Sequence, residues 1–130
     1  MVQEQRRSSV QTSSKLIFLV EDDTIMQEFL VLALSDETPY QVAAVHNGFE
    51  ALEAVKDMKP HLFLLDYLLP GMSGLELYDR LHAIDQVADT PTIMLSSNLP
   101  TKEVEKRHIT GFYKPFDLDE LLNTIETLLA

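Results

Sequence analysis

The chain has 130 residues, enough for one domain, and 45% of them are apolar, enough for one packed core. Its formal charge of −11, from 21 acidic and 10 basic residues, argues against nonspecific binding to nucleic acid or to an anionic membrane. No apolar run approaches the roughly 20 residues that span a bilayer; the first 14 residues lack the apolar segment of a secretory signal. There is no cysteine for a disulfide or for thiol chemistry, which fits a reducing compartment, and a cytoplasmic location is expected.

Residues 1–14 are rich in Gln, Ser and Thr, and are expected to form a flexible tail ahead of a domain over 15–130. Within that tail Arg6-Arg7-Ser8-Ser9 could serve as a contact or modification site, but a solvated segment is the simpler reading. From Lys15 onward, strand and helix patterns alternate. Leu16–Val20 reads as a buried strand. Met26, Phe29, Leu30, Ala33 and Leu34 recur at helical spacing and predict a helix over about 24–35. Gln41–Val45 follows Pro39 as a short strand, and Gly48–Asp57 reads as a helix with Ala51, Leu52, Val55 and Met58 inward. Leu62–Leu65 is apolar throughout, as expected of a strand covered on both faces. Leu77, Tyr78, Leu81 and Ile84 mark a third helix, and Pro91–Ser96 a fourth strand. A short helix is expected at 101–107 and a brief strand at Gly111–Tyr113. Asp117 and Glu120 have capping-box spacing, ahead of a stripe of Leu118, Leu121, Leu122, Ile125, Leu128 and Leu129.

Five such units with short links predict an α/β fold: a doubly wound, five-stranded parallel sheet with helices on both faces. The first strand-to-helix turn is Glu21-Asp22-Asp23-Thr24, not a glycine-rich loop, which argues against a dinucleotide site. Functional groups in such folds gather at the carboxyl edge of the sheet. Strand 1 delivers Glu21, Asp22 and Asp23 there; strand 3 delivers Asp66, strand 4 Ser96 and strand 5 Lys114.

Clustered carboxylates repel one another, and a hard cation relieves that repulsion. Mg2+ suits such a donor set, and typically keeps some ligand positions for water and phosphate oxygens. A nearby hydroxyl and ammonium could hold the oxygens of a transferred phosphoryl group, with Asp66 as nucleophile. Taken singly, Asp22 could be a helix cap, Ser96 an ordinary strand end and Lys114 a solvated loop residue. Their convergence favours a site. His46, His61, His82 and His108 have no ligand spacing and read as structural or solvated.

Five motifs stand in order: Leu19-Val20-Glu21-Asp22-Asp23, Asn47-Gly48-Phe49-Glu50-Ala51-Leu52, Asp66 with Leu69-Pro70-Gly71-Met72-Ser73-Gly74, Leu95-Ser96-Ser97 and Lys114-Pro115-Phe116. Together they resemble the receiver domain of a two-component response regulator, of the single-domain CheY-like kind, over about 15–130. The resemblance implies the flavodoxin-like strand order 2-1-3-4-5. It implies a signalling switch and not an enzyme acting on an external substrate. Asp66 matches the phosphoacceptor, Asp22 the direct metal ligand, Glu21 its neighbour acting through water, and the backbone carbonyl of Leu68 a further ligand, all for Mg2+. Ser96 matches the switch hydroxyl and Lys114 the lysine that contacts the phosphoryl group. The implied partners are a sensor histidine kinase or phosphotransfer protein that donates the group, and a downstream protein target. Asp23 falls outside the acidic pair and suits a helix N-terminus.

Two departures bear on output. The family usually carries an aromatic residue three positions before the lysine, where this chain has Gly111; Tyr113 shares its side of the strand and could serve instead, whereas Phe112 faces away. The span from Ser96 to Lys114 is short, so a reduced fourth helix is expected. Leu68 and Asn98 stand where the family tunes dephosphorylation, and the bulk of Leu68 is expected to give a long-lived phosphoryl group. The chain ends at Ala130 after the last helix, so output is expected through protein contact. The alternative is a constitutive receiver-like interaction module that does not use phosphate. A Mg2+-dependent phosphatase is disfavoured, because Leu68 stands where such an enzyme usually carries a second acid.

Overall fold

The computed structural model describes residues 13–130. The Arg6–Ser9 segment and most of the expected tail lie outside the described residues. Ser13 is already tied to the body: its N–H donates to the Pro39 carbonyl at 2.7 Å, and Gln41 Nε2 donates to its carbonyl at 3.3 Å.

Eleven segments follow one another among the described residues. They are β1 (Leu16–Val20), α1 (Thr24–Glu37), β2 (Gln41–Val45), α2 (Gly48–Ala54), β3 (Leu62–Asp66), α3 (Gly74–Leu81), a 3-10 turn (Asp85–Val87), β4 (Thr92–Ser96), α4 (Thr101–Lys106), β5 (Thr110–Tyr113) and α5 (Leu118–Leu129). The strands pair in parallel in the order β2-β1-β3-β4-β5. Both the fold class and the order are therefore as expected.

Alternation along each strand divides the core into two layers. Phe18, Val20, Phe63, Leu65 and Met94 pack with Ala51 of α2, Leu77 and Leu81 of α3 and Val104 of α4. Ile17, Leu19, Leu62, Leu64, Ile93 and Leu95 pack with Leu30 and Leu34 of α1 and Leu121, Ile125 and Leu129 of α5. Every residue of β3 and β4 is buried, which explains their unbroken apolar character.

Several boundaries differ from the sequence reading. α1 runs two residues further, to Glu37, and Phe29, expected inside, is 48% exposed. The inward positions are Leu30 and Leu34, so the buried stripe is narrower than the apolar one. α2 stops at Ala54, and Val55 follows as its cap. α3 stops at Leu81, and Ile84 caps the 3-10 turn instead of extending the helix. Tyr78 and His82 stack there with ring centroids 3.9 Å apart, while His82 Nε2 sits 2.9 Å from the Thr90 carbonyl. α4 has six residues, in keeping with the short span around it. No helix among the described residues is long and apolar enough to cross a membrane.

Candidate functional site

The ends of β1, β3 and β5 bring Glu21, Asp22, Asp66 and Lys114 together. Glu21 extends β1 by one hydrogen bond, from its N–H to the Val45 carbonyl at 3.1 Å. Gln27, one helical turn into α1, locks that corner: its amide donates to the carbonyls of Glu21 (3.1 Å) and Val45 (2.8 Å). Asp23 caps α1 through Oδ1, which accepts from Met26 N–H at 3.0 Å. Its own N–H donates to Glu21 Oε2 at 3.1 Å. The acidic triplet is thus divided by role: Asp23 caps, Asp22 stands exposed, and Glu21 is turned inward with 0% exposure.

Asp66 ends β3 and is nearly buried. The Tyr67 N–H donates to the Leu95 carbonyl at 2.9 Å, which fixes the strand end, and the chain then turns away. α3 begins directly against that end: Gly74 N–H donates to the Tyr67 carbonyl at 2.8 Å. A Cβ on Gly74 would lie 2.6 Å from the Asp66 carbonyl oxygen and 2.9 Å from Tyr67 Cα, so only glycine permits this approach. Leu68 lies in the bend two residues past Asp66, with 63% of its surface exposed.

Lys114 reaches across from the end of β5. Its Nζ lies 3.2 Å from Glu21 Oε1 and 3.3 Å from Asp66 Oδ1, and the pair is largely shielded from solvent. Burial raises the pKa of Glu21 and of Asp66 above the ordinary carboxylate range, although the Lys114 ammonium pulls both back. Burial pulls the Lys114 ammonium down, but the two carboxylates outweigh it and its pKa rises.

One carboxylate oxygen from each of Glu21, Asp22 and Asp66 lies within 4.8 Å of the others. Three hard oxygen donors at this spacing fit a small divalent cation such as Mg2+ better than a softer metal.

Ser96 ends β4, buried, one position beyond the residue paired with Asp66. Its carbonyl accepts from Lys114 N–H at 2.9 Å, and its hydroxyl accepts from Asn98 N–H at 3.1 Å. His61 and His82 take structural places, His61 Nδ1 accepting from Leu16 N–H at 3.0 Å, whereas His108 stands exposed.

Sequence reasoning missed two roles: Gln27 clamps the β1 and β2 ends, and Gly74, named there only within a motif, admits α3 to the Asp66 strand end. Gly74 carried a signal, as a glycine at the start of a helix beside a key carboxylate. Gln27 is one polar residue of an amphipathic helix and carried none.

The family model for the response regulator receiver domain matches residues 17–126. The sporulation initiation phosphotransferase F of Bacillus subtilis is 31% identical over 113 residues, covering 85% of this chain and 91% of that protein. The probable transcriptional regulator ycf29 of Porphyra purpurea is 33% identical over 117 residues, covering 87% of this chain and 56% of that protein. The chain spans about half the length of several such regulators, including 50% of YkoG of Bacillus subtilis. Among solved structures, the chemotaxis response regulator CheY4 of Vibrio cholerae superposes with a TM-score of 0.81 at 26% identity, over 90% of this chain and 100% of that one. The receiver domain of the sensor histidine kinase PA1611 of Pseudomonas aeruginosa, described with magnesium in its active site cleft, has the same fold, with a TM-score of 0.79 at 23% identity over 90% of this chain and 98% of that one. An acidic rim on a 2-1-3-4-5 sheet, with a family match across both layers of its core, has one conclusion: this chain belongs to the response regulator receiver domain family and is a signalling domain of the phosphorelay type.

Proposed function

We propose that Asp66 accepts a phosphoryl group from the phosphohistidine of a sensor histidine kinase or phosphotransfer protein, with Mg2+ present, within a receiver unit spanning 15–130. The observation that carries this reading is the trio of buried Glu21 and Asp66 with half-buried Lys114, in which one ammonium faces two carboxylates at the strand ends. An Asp66 carboxylate oxygen forms the new bond to phosphorus as the bond from phosphorus to the histidine nitrogen breaks, and that nitrogen leaves with its electron pair. Asp22, Asp66, Glu21 and the Leu68 carbonyl are the groups proposed to hold Mg2+. When bound, the cation neutralises charge on the transferring oxygens.

The chain's own residues orient the reaction. The Tyr67–Leu95 hydrogen bond and the abutting α3 hold Asp66 at the rim. Lys114 exchanges its contact with Asp66 for one to the phosphoryl oxygens, and the Ser96 hydroxyl turns to donate to them. The outcome is a state change read by a downstream protein, not turnover of an external substrate; Leu68 stands where an aspartyl phosphatase usually places a second acid. A cytoplasmic setting suits this role.

The test is incubation with Mg2+ and a small acyl phosphate, followed by intact mass. One phosphoryl adduct is expected on the wild type, none on Asp66→Ala, and none when Mg2+ is chelated. An adduct of equal yield on Asp66→Ala places the chemistry elsewhere and sinks the reading.

A further inference from the structure

Two adjacent residues of α2 interlock with two of the β3–α3 loop. A Cβ on Gly48 would lie 2.8 Å from Met72 Sδ, so the Met72 side chain fills the space over that glycine. A Cβ on Gly71 would lie 3.0 Å from Phe49 Cε2 and 3.6 Å from Phe49 Cζ, so the edge of the Phe49 ring fills the space over that one. Each pair therefore offers one glycine and receives one large side chain. Gly71 also has φ +77°, in the left-handed region, so backbone and neighbour both demand glycine there.

The two halves of the interlock differ in kind. Met72 is 3% exposed and belongs to the apolar layer that holds Ala51 and Leu77. Phe49 is 56% exposed and stands outside that layer. Its ring rests on a loop with few other restraints. The Gly74 N–H bond to the Tyr67 carbonyl closes the loop, and between them residues 68–72 make no backbone hydrogen bond among the described residues. Leu69 and Met72 anchor it by burial, whereas Leu68 and Gly71 are exposed, so the Leu68 side chain does not hold its own residue in place. The first turn of α2 is fixed by contrast: Asn47 Oδ1 accepts from Glu50 N–H, and Glu50 Oε1 accepts from His46 N–H, both at 2.8 Å. Phe49 projects from that fixed turn.

We propose that Phe49 is a positioning residue of the cation site: its ring braces Gly71 and so holds the stretch that presents the Leu68 carbonyl to Mg2+. The inference rests on the reading of that carbonyl as a ligand. Phe49 has no donor for a cation, so its influence reaches the metal only through the loop. A carbonyl on an unbraced loop must be ordered as the cation binds, and that ordering costs affinity.

Calorimetric titration of the full chain with Mg2+ tests this, beside urea unfolding and backbone amide order parameters measured without Mg2+. Phe49→Ala is expected to weaken Mg2+ binding about ten-fold. It should leave the urea midpoint close to that of wild type and lower the order parameters of Leu68, Leu69, Gly71 and Met72. Phe49→Tyr keeps the ring edge and is expected to restore both affinity and order. Wild-type affinity in Phe49→Ala overturns the inference, as does a Phe49→Tyr protein that binds as weakly as Phe49→Ala. Weaker binding that comes with a lowered urea midpoint and unchanged order parameters makes Phe49 a merely structural residue, and overturns it too. Asp22→Asn separates this inference from the metal reading beneath it. Binding that Asp22→Asn does not weaken removes the metal site and the brace together; binding that needs Asp22 but ignores Phe49 removes the brace alone.

Discussion

Two carboxylates share one ammonium at the rim of this sheet, and Glu21 is the more deeply buried of the two. A buried anion without a full counter-charge destabilises the native state, so neutralising Glu21 while keeping its shape relieves it. Glu21→Gln is expected to stabilise the metal-free protein at neutral pH by on the order of 1 kcal/mol, measured by urea unfolding. The pH dependence has a definite sign. The folded-state pKa values of Glu21 and Asp66 lie above their unfolded values, so the native state holds the extra proton. Stability from this site therefore falls as pH rises from the ordinary carboxylate range through the raised values, and is level above them. The advantage of Glu21→Gln should grow across that window and vanish below it; an advantage that persists unchanged at acid pH removes desolvation as the cause. Asp79 has the opposite sign. Its bond from Arg107 lowers its pKa, so its contribution is present above the ordinary aspartate value and is lost as pH falls through the lowered one. At the mouth of the site, exposed Leu68 is expected to slow the approach of water to a phosphoryl group. Leu68→Asn should shorten the label's half-life in purified protein, and an equal or longer half-life contradicts that role. Asp66 and Lys114 were legible in the sequence because each closes a strand pattern at the sheet's carboxyl edge. The close approach of buried Leu99 to exposed Gly111 was not, because it joins residues twelve positions apart through the placement of a six-residue helix.

Elements behave as their caps and close approaches dictate. Asn47 shows why α2 starts at Gly48: its Oδ1 accepts from Glu50 N–H at 2.8 Å as the N-cap bond, while Glu50 Oε1 accepts from the N–H of His46, one residue before the cap, at 2.8 Å. Ser73 caps α3 through Glu76 N–H at 3.1 Å, and Asp117 caps α5 through two N–H groups. These starts follow from single polar residues, of which the Asp117 cap was read from the sequence. The helix ends were less legible, because continued apolar spacing at Val55 and Ile84 serves turn packing instead of another helical turn. Phe29 misled for a related reason: helical periodicity identifies an apolar face but not how much of it a neighbour covers. The most consequential element contact is that of α3 with the Asp66 strand end. In Gly74→Ala the new Cβ meets backbone atoms that cannot swing aside, so a loss of about 2 kcal/mol is expected in urea unfolding, with weaker Mg2+ binding as α3 is pushed from Asp66. Wild-type stability and metal affinity together in that variant would show that the helix start yields without disturbing the rim.

At the scale of the whole molecule, the acidic rim must be separated from the acidity of the chain. A protein of net charge −11 gains stability from any added salt, because screening weakens its self-repulsion. A specific cation site adds a second, saturable gain. Binding to the native state alone contributes RT ln(1 + [L]/Kd), about 2.7 kcal/mol when the free cation is a hundred times its Kd. The rim offers such a gain by geometry: one carboxylate oxygen from each of Glu21, Asp22 and Asp66 lies within 4.8 Å of the others, with Lys114 as the ammonium paired to Glu21 and Asp66. Mg2+ should therefore raise Tm well beyond NaCl at matched ionic strength, and the excess should saturate. Asp22→Asn removes an exposed donor that forms no ion pair with Lys114 among the described residues, so it should leave Tm in NaCl nearly unchanged and abolish most of the Mg2+ excess. Equal Tm gains from the two salts, or an undiminished excess in Asp22→Asn, would reduce the cluster to a screened acidic surface. A saturable excess that depends on Asp22 identifies it as a metal site, and ties the stability of the whole domain to the rim where Asp66 stands.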